Sequence, residues 1–313
     1  LRAIEVTAPA GTIVNAQSPA PCGGLNEVRF GCDAAVMGAL AQAVPERMTG
    51  DVRGTSNHTY IGGRGFIFYE YPSGGTGAWQ DGDGNVAVRA FNEGENVSIQ
   101  STEIVERVFP LRILRQEIRP DSGGAGTRRG GCGLVREVEI LTDEARLSVL
   151  SDRFTVRRDG SEFEPSAFPG KIANVPLRHG DVVVMRSSGG GGFGDPTARD
   201  ADALAADLAD GYVTDEARAI YDVAALSVSV AADAGLPASA CRVSASLAAT
   251  LSASPGDLLE LAPERGPSRR VWLHAVSDAS AADHVITGGD APAGPHHIRR
   301  LAAGLQNRGE MRA

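Results

Sequence analysis

Apolar and polar residues alternate in short runs through the first two thirds of the chain, and this pattern predicts β-strands. Strands are expected at residues 65–71, 85–90, 111–118, 134–141, 146–150 and 181–186. The first of these is apolar or aromatic on both faces up to Glu70, so we expect both faces to be covered. Glu70 then either ends the strand in solvent or faces a cavity. Residues 50–64 are expected to form a loop.

Helical patterns are fewer and short. They are predicted for residues 34–43, 103–108, 201–209 and 215–222. Asp200 and Thr214 occupy the capping positions of the last two helices, and Gly211 suits the left-handed position that ends the helix at 201–209. Because regular βαβ alternation is missing, the sequence predicts an α+β fold, with β-rich mixed sheets, a few short helices, glycine-rich loops and a small C-terminal module.

The composition changes near residue 228, and this change predicts the domain organisation. We expect a first domain at residues 1–227, a linker of small residues at 228–240, a β-containing module at 241–290 and a basic helical tail at 291–313. In the module, a helix is expected at 244–251 and strands at 257–261 and 270–276. This pattern resembles a small double-psi-barrel-like module; an ordinary C-terminal extension is the alternative.

Composition and charge exclude several classes of protein. The chain has 30 Lys and Arg against 39 Asp and Glu, a net charge of -9, which argues against nucleic-acid and anionic-membrane binding. No apolar run approaches the length of a membrane span. Four widely separated cysteines are typical of reduced thiols in a cytoplasmic protein.

Glycine is in excess, with 39 residues among 313, and it is concentrated in three segments. These segments are residues 73–84, 119–133 and 187–196. Successive free amides in such a loop can bind an anion, whereas closely spaced glycines can also let two backbones pack tightly. Gly189, Gly191 and Gly194 match a dinucleotide-binding spacing, but no second strand follows at the required distance. Tight packing and ligand contact therefore remain the two interpretations.

Asp121 and Ser122 are the candidate catalytic residues. They lie in a turn between Pro120 and two glycines, where the carboxylate either caps backbone amides or is presented to a substrate. Arg128 and Arg129 follow and either bind an anion or are solvated. Cys132 has no histidine near it in sequence, which favours a packing role. The six histidines form no ligand cluster, so no metal site is predicted in this chain.

Four segments, in order, resemble the hydantoinase B/oxoprolinase family. This family includes the B subunits of ATP-dependent hydantoinases, the matching half of 5-oxoprolinase and the α subunit of acetone carboxylase. The segments are APAGTIVNAQSPAP at 8–21, GGTGAWQDGDG at 74–84, EIRPDSGGAGTRRGGCGL at 117–134, and residues 180–223, which begin GDVVVMRSSGGGGFGDP. The resemblance covers about residues 1–225 and corresponds to the C-terminal half of such a subunit.

The resemblance implies a hetero-oligomeric, ATP-dependent enzyme. An ATP-binding subunit of the hydantoinase A type would phosphorylate a carbonyl oxygen of the substrate. The B subunit would then complete the hydrolysis of a cyclic amide or, in members that resemble acetone carboxylase, the carboxylation of a ketone. The ligands of a divalent metal would lie in an N-terminal half of the B subunit that this chain lacks, so that neither ATP nor metal is bound by motifs present here. The loops expected to contact substrate or phosphate contain Gly74, Gly75, Gly77, Gly123, Gly124, Gly126, Arg128, Gly189, Gly190, Gly191 and Gly192.

The sequence departs from the family pattern in three places. Residues 85–106 lack the usual histidine and Asn-Thr pair, residues 150–171 are shorter and lack a GGxPG-like turn, and Cys132 replaces a common leucine. Three functions therefore remain open: part of a cyclic-amide hydrolase, a component of a ketone carboxylase, or a non-catalytic scaffold.

Overall fold

The structure of the chain is a computed structural model. It describes residues 5–20, 25–51, 54–88, 99–151, 153–167, 170–222, 226–237, 239–263, 269–277, 284–288 and 294–300. Within these residues, no helix combines the length and the apolar character needed to span a membrane.

Strands outnumber helices in the described residues, which confirms the predicted β-rich α+β fold. The helices are α1 (Leu25–Leu40), α2 (Thr102–Val108), α3 (Ala201–Ala209), α4 (Asp215–Asp222) and α5 (Ala245–Thr250). The strands are β1 (His58–Gly63), β2 (Phe66–Glu70), β3 (Leu111–Ile118), β4 (Leu134–Ile140), β5 (Ala145–Ser151), β6 (Phe154–Arg158), β7 (Ser161–Phe163), β8 (Gly170–Leu177), β9 (Val182–Arg186), β10 (Leu226–Asp233), β11 (Ala240–Ser244), β12 (Leu258–Pro263), β13 (Arg269–Ser277), β14 (His284–Gly288) and β15 (Gly294–Arg300).

Two antiparallel sheets share one hydrophobic core in the first part of the chain. The first has the strand order β2-β1-β5-β8, and the second has the order β3-β4-β9-β6-β7. Ile61, Phe68 and Leu147 enter the core from the first sheet, while Val138 and Val183 enter it from the second. Alternate residues of β5 are buried, as expected for a strand with one face on a core.

A buried ion pair joins these two sheets. The Nε atom of Arg136, on β4, lies 2.9 Å from Oε2 of Glu70, on β2, and the two side chains are 0% and 3% exposed. Burial lowers the pKa of Arg136, and the charge of Glu70 opposes this shift. Glu70 thus ends its strand inside the protein, paired with a cation, and neither of the two predicted environments describes it.

Some predicted elements differ from the structure. Residues 58–63, predicted as loop, form β1, which pairs with both β2 and β5; its two terminal glycines mask the strand pattern. Residues 85–88 form no strand apart from an isolated bridge between Gly74 and Val88, and the rest of the strand predicted at 85–90 lies outside the described residues. The first helix begins at Leu25, well before the predicted start at residue 34.

The C-terminal part forms a closed barrel with the strand order β10-β14-β11-β13-β12-β15. Its core contains Val228, Val243, Leu259, Val271 and Ile298 among others. The helix predicted at 244–251 is present as α5, and Ser244 caps it by accepting a hydrogen bond from the amide of Leu247. The barrel agrees with a compact β-module, whereas the double-psi description and the division into separate domains stay predictions.

Two predictions for this part were wrong. The segment predicted as a linker contains β10, because Val228 and Val230 alternate with small residues and point into the barrel. The tail predicted as a helix contains β15, in which His296 and Ile298 are buried on one face. The alternation of apolar and polar residues is weak in both strands, because β10 is rich in small residues and β15 is rich in basic ones. Residues 301–313 lie outside the described residues.

The Glu70–Arg136 pair generates a test of how the sheets are joined. We expect Arg136→Leu to lower the free energy of unfolding by about 3–5 kcal/mol, because it leaves a buried carboxylate without its cation. The double variant Glu70→Leu/Arg136→Leu should recover most of this loss. Urea unfolding of both variants measures the effect, and a double variant no more stable than the single one would contradict it.

Candidate functional site

The three glycine-rich segments 73–84, 119–133 and 187–196 are here called the glycine cluster. They meet at one end of the strands of the second sheet. The segment 119–133 connects β3 to β4, and the segment 187–196 follows β9. Because β4 pairs antiparallel with both β3 and β9, these two segments leave the sheet at the same edge. The segment 73–84 follows β2 and joins them there.

The glycine segments are hydrogen-bonded to one another through their backbones. The amide of Gly75 donates to the carbonyl oxygen of Ser188 at 3.0 Å, and the amide of Gly190 donates to that of Gly131 at 2.9 Å. Further bonds run from Gly124 to Gly190, from Gly130 to Gly124, from Gly131 to Thr76, from Ala78 to Gly191 and from Gly191 to Asp51. Irregular backbone can be buried here because its polar groups satisfy each other.

The backbones approach so closely that side chains are excluded. A Cβ atom on Gly75 would lie 1.7 Å from the carbonyl oxygen of Gly131, and one on Gly190 would lie 2.0 Å from that of Thr76. Gly77, Gly123, Gly124, Gly126, Gly189, Gly191 and Gly192 are also held in close contact with neighbouring backbone, and Gly74 forms a two-way bridge with Val88. The geometry supports the tight-packing interpretation at these positions, while contact with a substrate or phosphate stays a prediction.

Asp121 anchors the cluster to α4. Its carboxylate accepts hydrogen bonds from the amide and the hydroxyl of Thr214, both at 2.8 Å, and its own amide donates to the carbonyl oxygen of Tyr212. Asp121 has a φ of 58°, a left-handed conformation that Asp tolerates better than most residues. The predicted catalytic role of Asp121 is untested, and its carboxylate serves an anchoring role in this structure.

Ser122 closes the base of the loop between β3 and β4. Its hydroxyl donates to the carbonyl oxygen of Arg119 at 2.6 Å and accepts from the amide of Gly133 at 2.9 Å. Ser122 also lines a cavity beside the cluster. A catalytic role for Ser122 stays a prediction as well.

A network of four charged residues, three of them buried, ties α3 to the cluster, and no pattern in the sequence indicates it. Arg129 contacts Asp207 at 3.0 Å, and Arg199 contacts both Asp207 at 2.6 Å and Asp83 at 2.7 Å. Arg129 is 4% exposed and its guanidinium lies over the ring of Tyr212, so it is neither solvated nor open to an external anion. Arg128 is half-buried, with its Nε atom 3.4 Å from the carbonyl oxygen of Gln80.

The network shifts the pKa values of two of its members, Asp83 and Arg199. Burial raises the pKa of Asp83, but the hydrogen bonds and charges of Arg199 and Arg129 lower it more, so that it lies below its usual value. Burial lowers the pKa of Arg199, and its bonds to Asp83 and the charge of Asp207 outweigh this effect and raise it. These shifts keep Asp83 and Arg199 charged and paired at neutral pH.

Cys132 and the possible metal ligands can be placed only within the described residues. Burial raises the pKa of the Cys132 thiol, and the side chain is fully buried, in line with the expected packing role. Across the residues that the structure describes, no three His, Cys, Asp or Glu side chains converge in a group that could hold a metal. These residues do not fit the divalent metal that the resemblance implies for the complex.

Comparison with known proteins places the chain in a family. A family model described as Hydantoinase B/oxoprolinase matches residues 1–196. The chain therefore belongs to the hydantoinase B/oxoprolinase family, which confirms the resemblance seen in the sequence. The matched residues include all three segments of the glycine cluster.

Individual relatives agree with this assignment. An uncharacterized protein of Methanocaldococcus jannaschii is 34% identical over 67% of this chain and 39% of its own length. A putative B subunit of a D-/L-hydantoinase from a Pseudomonas species is 29% identical over 69% of this chain and 39% of its own length. The crystal structure of the ATP-dependent caprolactamase from Pseudomonas jessenii matches 70% of this chain and 43% of the other, at 25% identity and a TM-score of 0.54. The chain thus spans about two fifths of the length of these relatives.

The close backbone contacts predict that even a methyl group added to one of these glycines lowers the stability of the protein. We expect Gly75→Ala to lower the free energy of unfolding by about 1–3 kcal/mol, because its Cβ must displace the carbonyl of Gly131. The matched control is Gly38→Ala on the exposed side of α1, which meets nothing within 4 Å and should stabilise the protein by about 0.5–1 kcal/mol. Equal stability of the two variants in urea unfolding would contradict the packing account.

The ion network predicts a specific sensitivity to acid. The pKa of Asp83 is lowered in the folded state, so its contribution to stability is complete above the unfolded value of about 3.9 and is lost as the pH falls through the folded value. We expect the stability of the wild type to fall more steeply below about pH 4 than that of Asp83→Asn. Unfolding curves between about pH 5 and pH 2 measure this, with Asp143→Asn in an exposed turn as the control. Parallel pH curves for the wild type and Asp83→Asn would exclude the predicted role.

Proposed function

We propose that this chain is part of the B-type subunit of a cytoplasmic, ATP-dependent cyclic-amide hydrolase. The observation that carries the proposal is the family match over residues 1–196, which contain the whole glycine cluster. The names of two relatives, the putative B subunit of a D-/L-hydantoinase and the beta subunit of a caprolactamase, support a ring-opening reaction at a C–N bond. Their subunit designations also support a hetero-oligomer, and the partner in this proposal is an ATP-binding subunit of the hydantoinase A type.

In this proposal, the chain forms one rigid wall of the active site. The glycine cluster presents backbone and short side chains, so that a substrate or another part of the subunit can approach closely. Arg128, at the surface of the cluster, offers a cation to an anionic group, while Asp121 and Ser122 hold the turn that carries Gly123 and Gly124. ATP and a divalent metal are contributed by the ATP-binding subunit and by the N-terminal half of the B subunit.

The first experiment is reconstitution of the complex. This chain, joined to the N-terminal half of a B subunit, is purified with its A-type partner and incubated with ATP and hydantoin, 5-oxoproline or caprolactam. The proposal expects ring opening that depends on ATP, releases ADP and disappears when this chain is omitted. An assembled complex that opens none of these rings, or that opens them equally well without this chain, would contradict the proposal.

A pair of variants separates catalysis from anchoring at Asp121. If Asp121 acts on the substrate, Asp121→Asn lowers kcat by at least about a hundredfold, while Thr214→Val, which removes one hydrogen bond to the same carboxylate, leaves kcat near the wild-type value. If Asp121 only anchors α4, both variants lose stability and activity in proportion. Thermal unfolding and steady-state kinetics of the two variants decide between these results.

A further inference from the structure

A cavity of about 520 Å³ lies between the glycine cluster and the C-terminal barrel. Gly189, Gly190, Gly191 and Gly192 form one wall, and residues from β12 and β13 form the other. The barrel follows the residues matched by the family model, so this cavity is not a feature of the matched region alone. Its volume falls in the range of small-molecule sites.

The burial of Glu260 shows that the outer surface of the barrel is covered here. Leu259 and Leu261, on either side of it in β12, belong to the barrel core. The alternation of a strand therefore points Glu260 out of the barrel, and yet the residue is only 2% exposed. A carboxylate thus lines the cavity at a place that the adjoining part of the chain shields from bulk water.

Charges of both signs line the cavity, with Asp51 on the cluster side and Glu260, Arg269 and Arg270 on the barrel side. Asp51 lies on the cluster side, where its carbonyl oxygen accepts a hydrogen bond of 2.6 Å from the amide of Gly191. Arg270 lies on the barrel side, paired in register with Glu260. Both residues are exposed, and among the residues that the structure describes neither the Asp51 carboxylate nor the Arg270 guanidinium forms a hydrogen bond or ion pair.

Three further side chains line the cavity and can contact a charged ligand. Arg269 adds a second guanidinium on the barrel side, and burial lowers its pKa. Partial desolvation raises the pKa of Asp51, and a cation beside this carboxylate would stabilise its charged form. The hydroxyls of Ser122 and Ser239 supply neutral hydrogen-bonding groups between the charged ones.

We propose that this cavity binds a small zwitterion that carries both a carboxylate and an ammonium group. The carboxylate would lie against Arg270 and Arg269, and the ammonium group would lie against Asp51. A simple anion would satisfy the guanidinium groups but would lie near two carboxylates, that of Glu260 on the same wall and that of Asp51 on the opposite wall. The charge pattern therefore favours a zwitterion over inorganic phosphate.

When the ring is a lactam, the proposed reaction supplies such a molecule, and this link rests on the proposed function. Addition of water to the C–N bond of a lactam breaks that bond, places a hydroxyl on the carbonyl carbon and a hydrogen on the nitrogen, and yields one chain with a carboxylic acid and an amine. At neutral pH the proton moves from the acid to the amine. The cavity is then a product or effector site, although binding itself requires neither ATP nor a partner.

Isothermal titration of the full chain tests the site. The probes are the ω-amino acids from 3-aminopropanoate to 6-aminohexanoate, with hexanoate and hexylamine as matched ligands that carry one charge each. We expect at least one zwitterion to bind about tenfold or more tightly than either singly charged ligand. No binding by any zwitterion, or equal binding of hexanoate or inorganic phosphate, would overturn the proposal.

Variants of the lining residues test whether the ligand binds in this cavity. Arg270→Met and Asp51→Asn should each weaken zwitterion binding about tenfold, and Arg64→Met, at the exposed turn between β1 and β2, should leave it unchanged. Thermal unfolding confirms that each variant is folded. Unchanged binding in folded Arg270→Met and Asp51→Asn would place the ligand elsewhere and overturn the proposal.

The experiments can reject the proposed function and the proposed binding site independently of each other. Zwitterion binding without ring opening in the reconstituted complex rejects the proposed function and leaves the site. Ring opening without zwitterion binding rejects the site and leaves the proposed function.

Discussion

The close approach of glycine backbones is the constraint on which the first part of this protein depends. Three segments far apart in sequence replace side-chain packing with backbone hydrogen bonds, such as those from Gly75 to Ser188 and from Gly190 to Gly131. Each such glycine loses more conformational entropy on folding than any other residue, and the network of amide–carbonyl bonds helps to offset that cost. The excess of glycine is therefore structural, and it fixes how the edge of the second sheet is built.

Charged residues attach the helices α3 and α4 to the glycine cluster. Arg129, Asp207, Arg199 and Asp83 connect α3 to it, and Asp121 connects it to α4 through Thr214. Breaking one partner of a buried ion pair costs more than the pair itself contributes, so these contacts make the position of the helices specific. A rigid wall with little side-chain bulk is a suitable boundary for a site completed by other parts of a complex.

Local patterns predicted much of the fold, and contacts between distant residues explain the rest. The strands at 111–118 and 181–186 and the helix at 201–209 follow from periodicity and capping by Asp200. The strands β10 and β15 were missed because their inward positions alternate with Ala, Ser and basic residues. The ion network was equally hidden, because Asp83 and Arg199 are 116 residues apart. The glycine segments were visible as motifs, but their packing required knowing which backbones meet.

Hydrogen exchange tests the central claim about the glycine cluster most directly. The amides of Gly75, Gly124, Gly131, Gly190 and Gly191 lie outside helices and strands but are all bonded to other segments of the backbone. If the cluster is a packed scaffold, these amides exchange only through global unfolding, as slowly as amides in the central strands β4 and β9. Exchange at the rate of exposed loops, with the central strands still protected, would contradict the account.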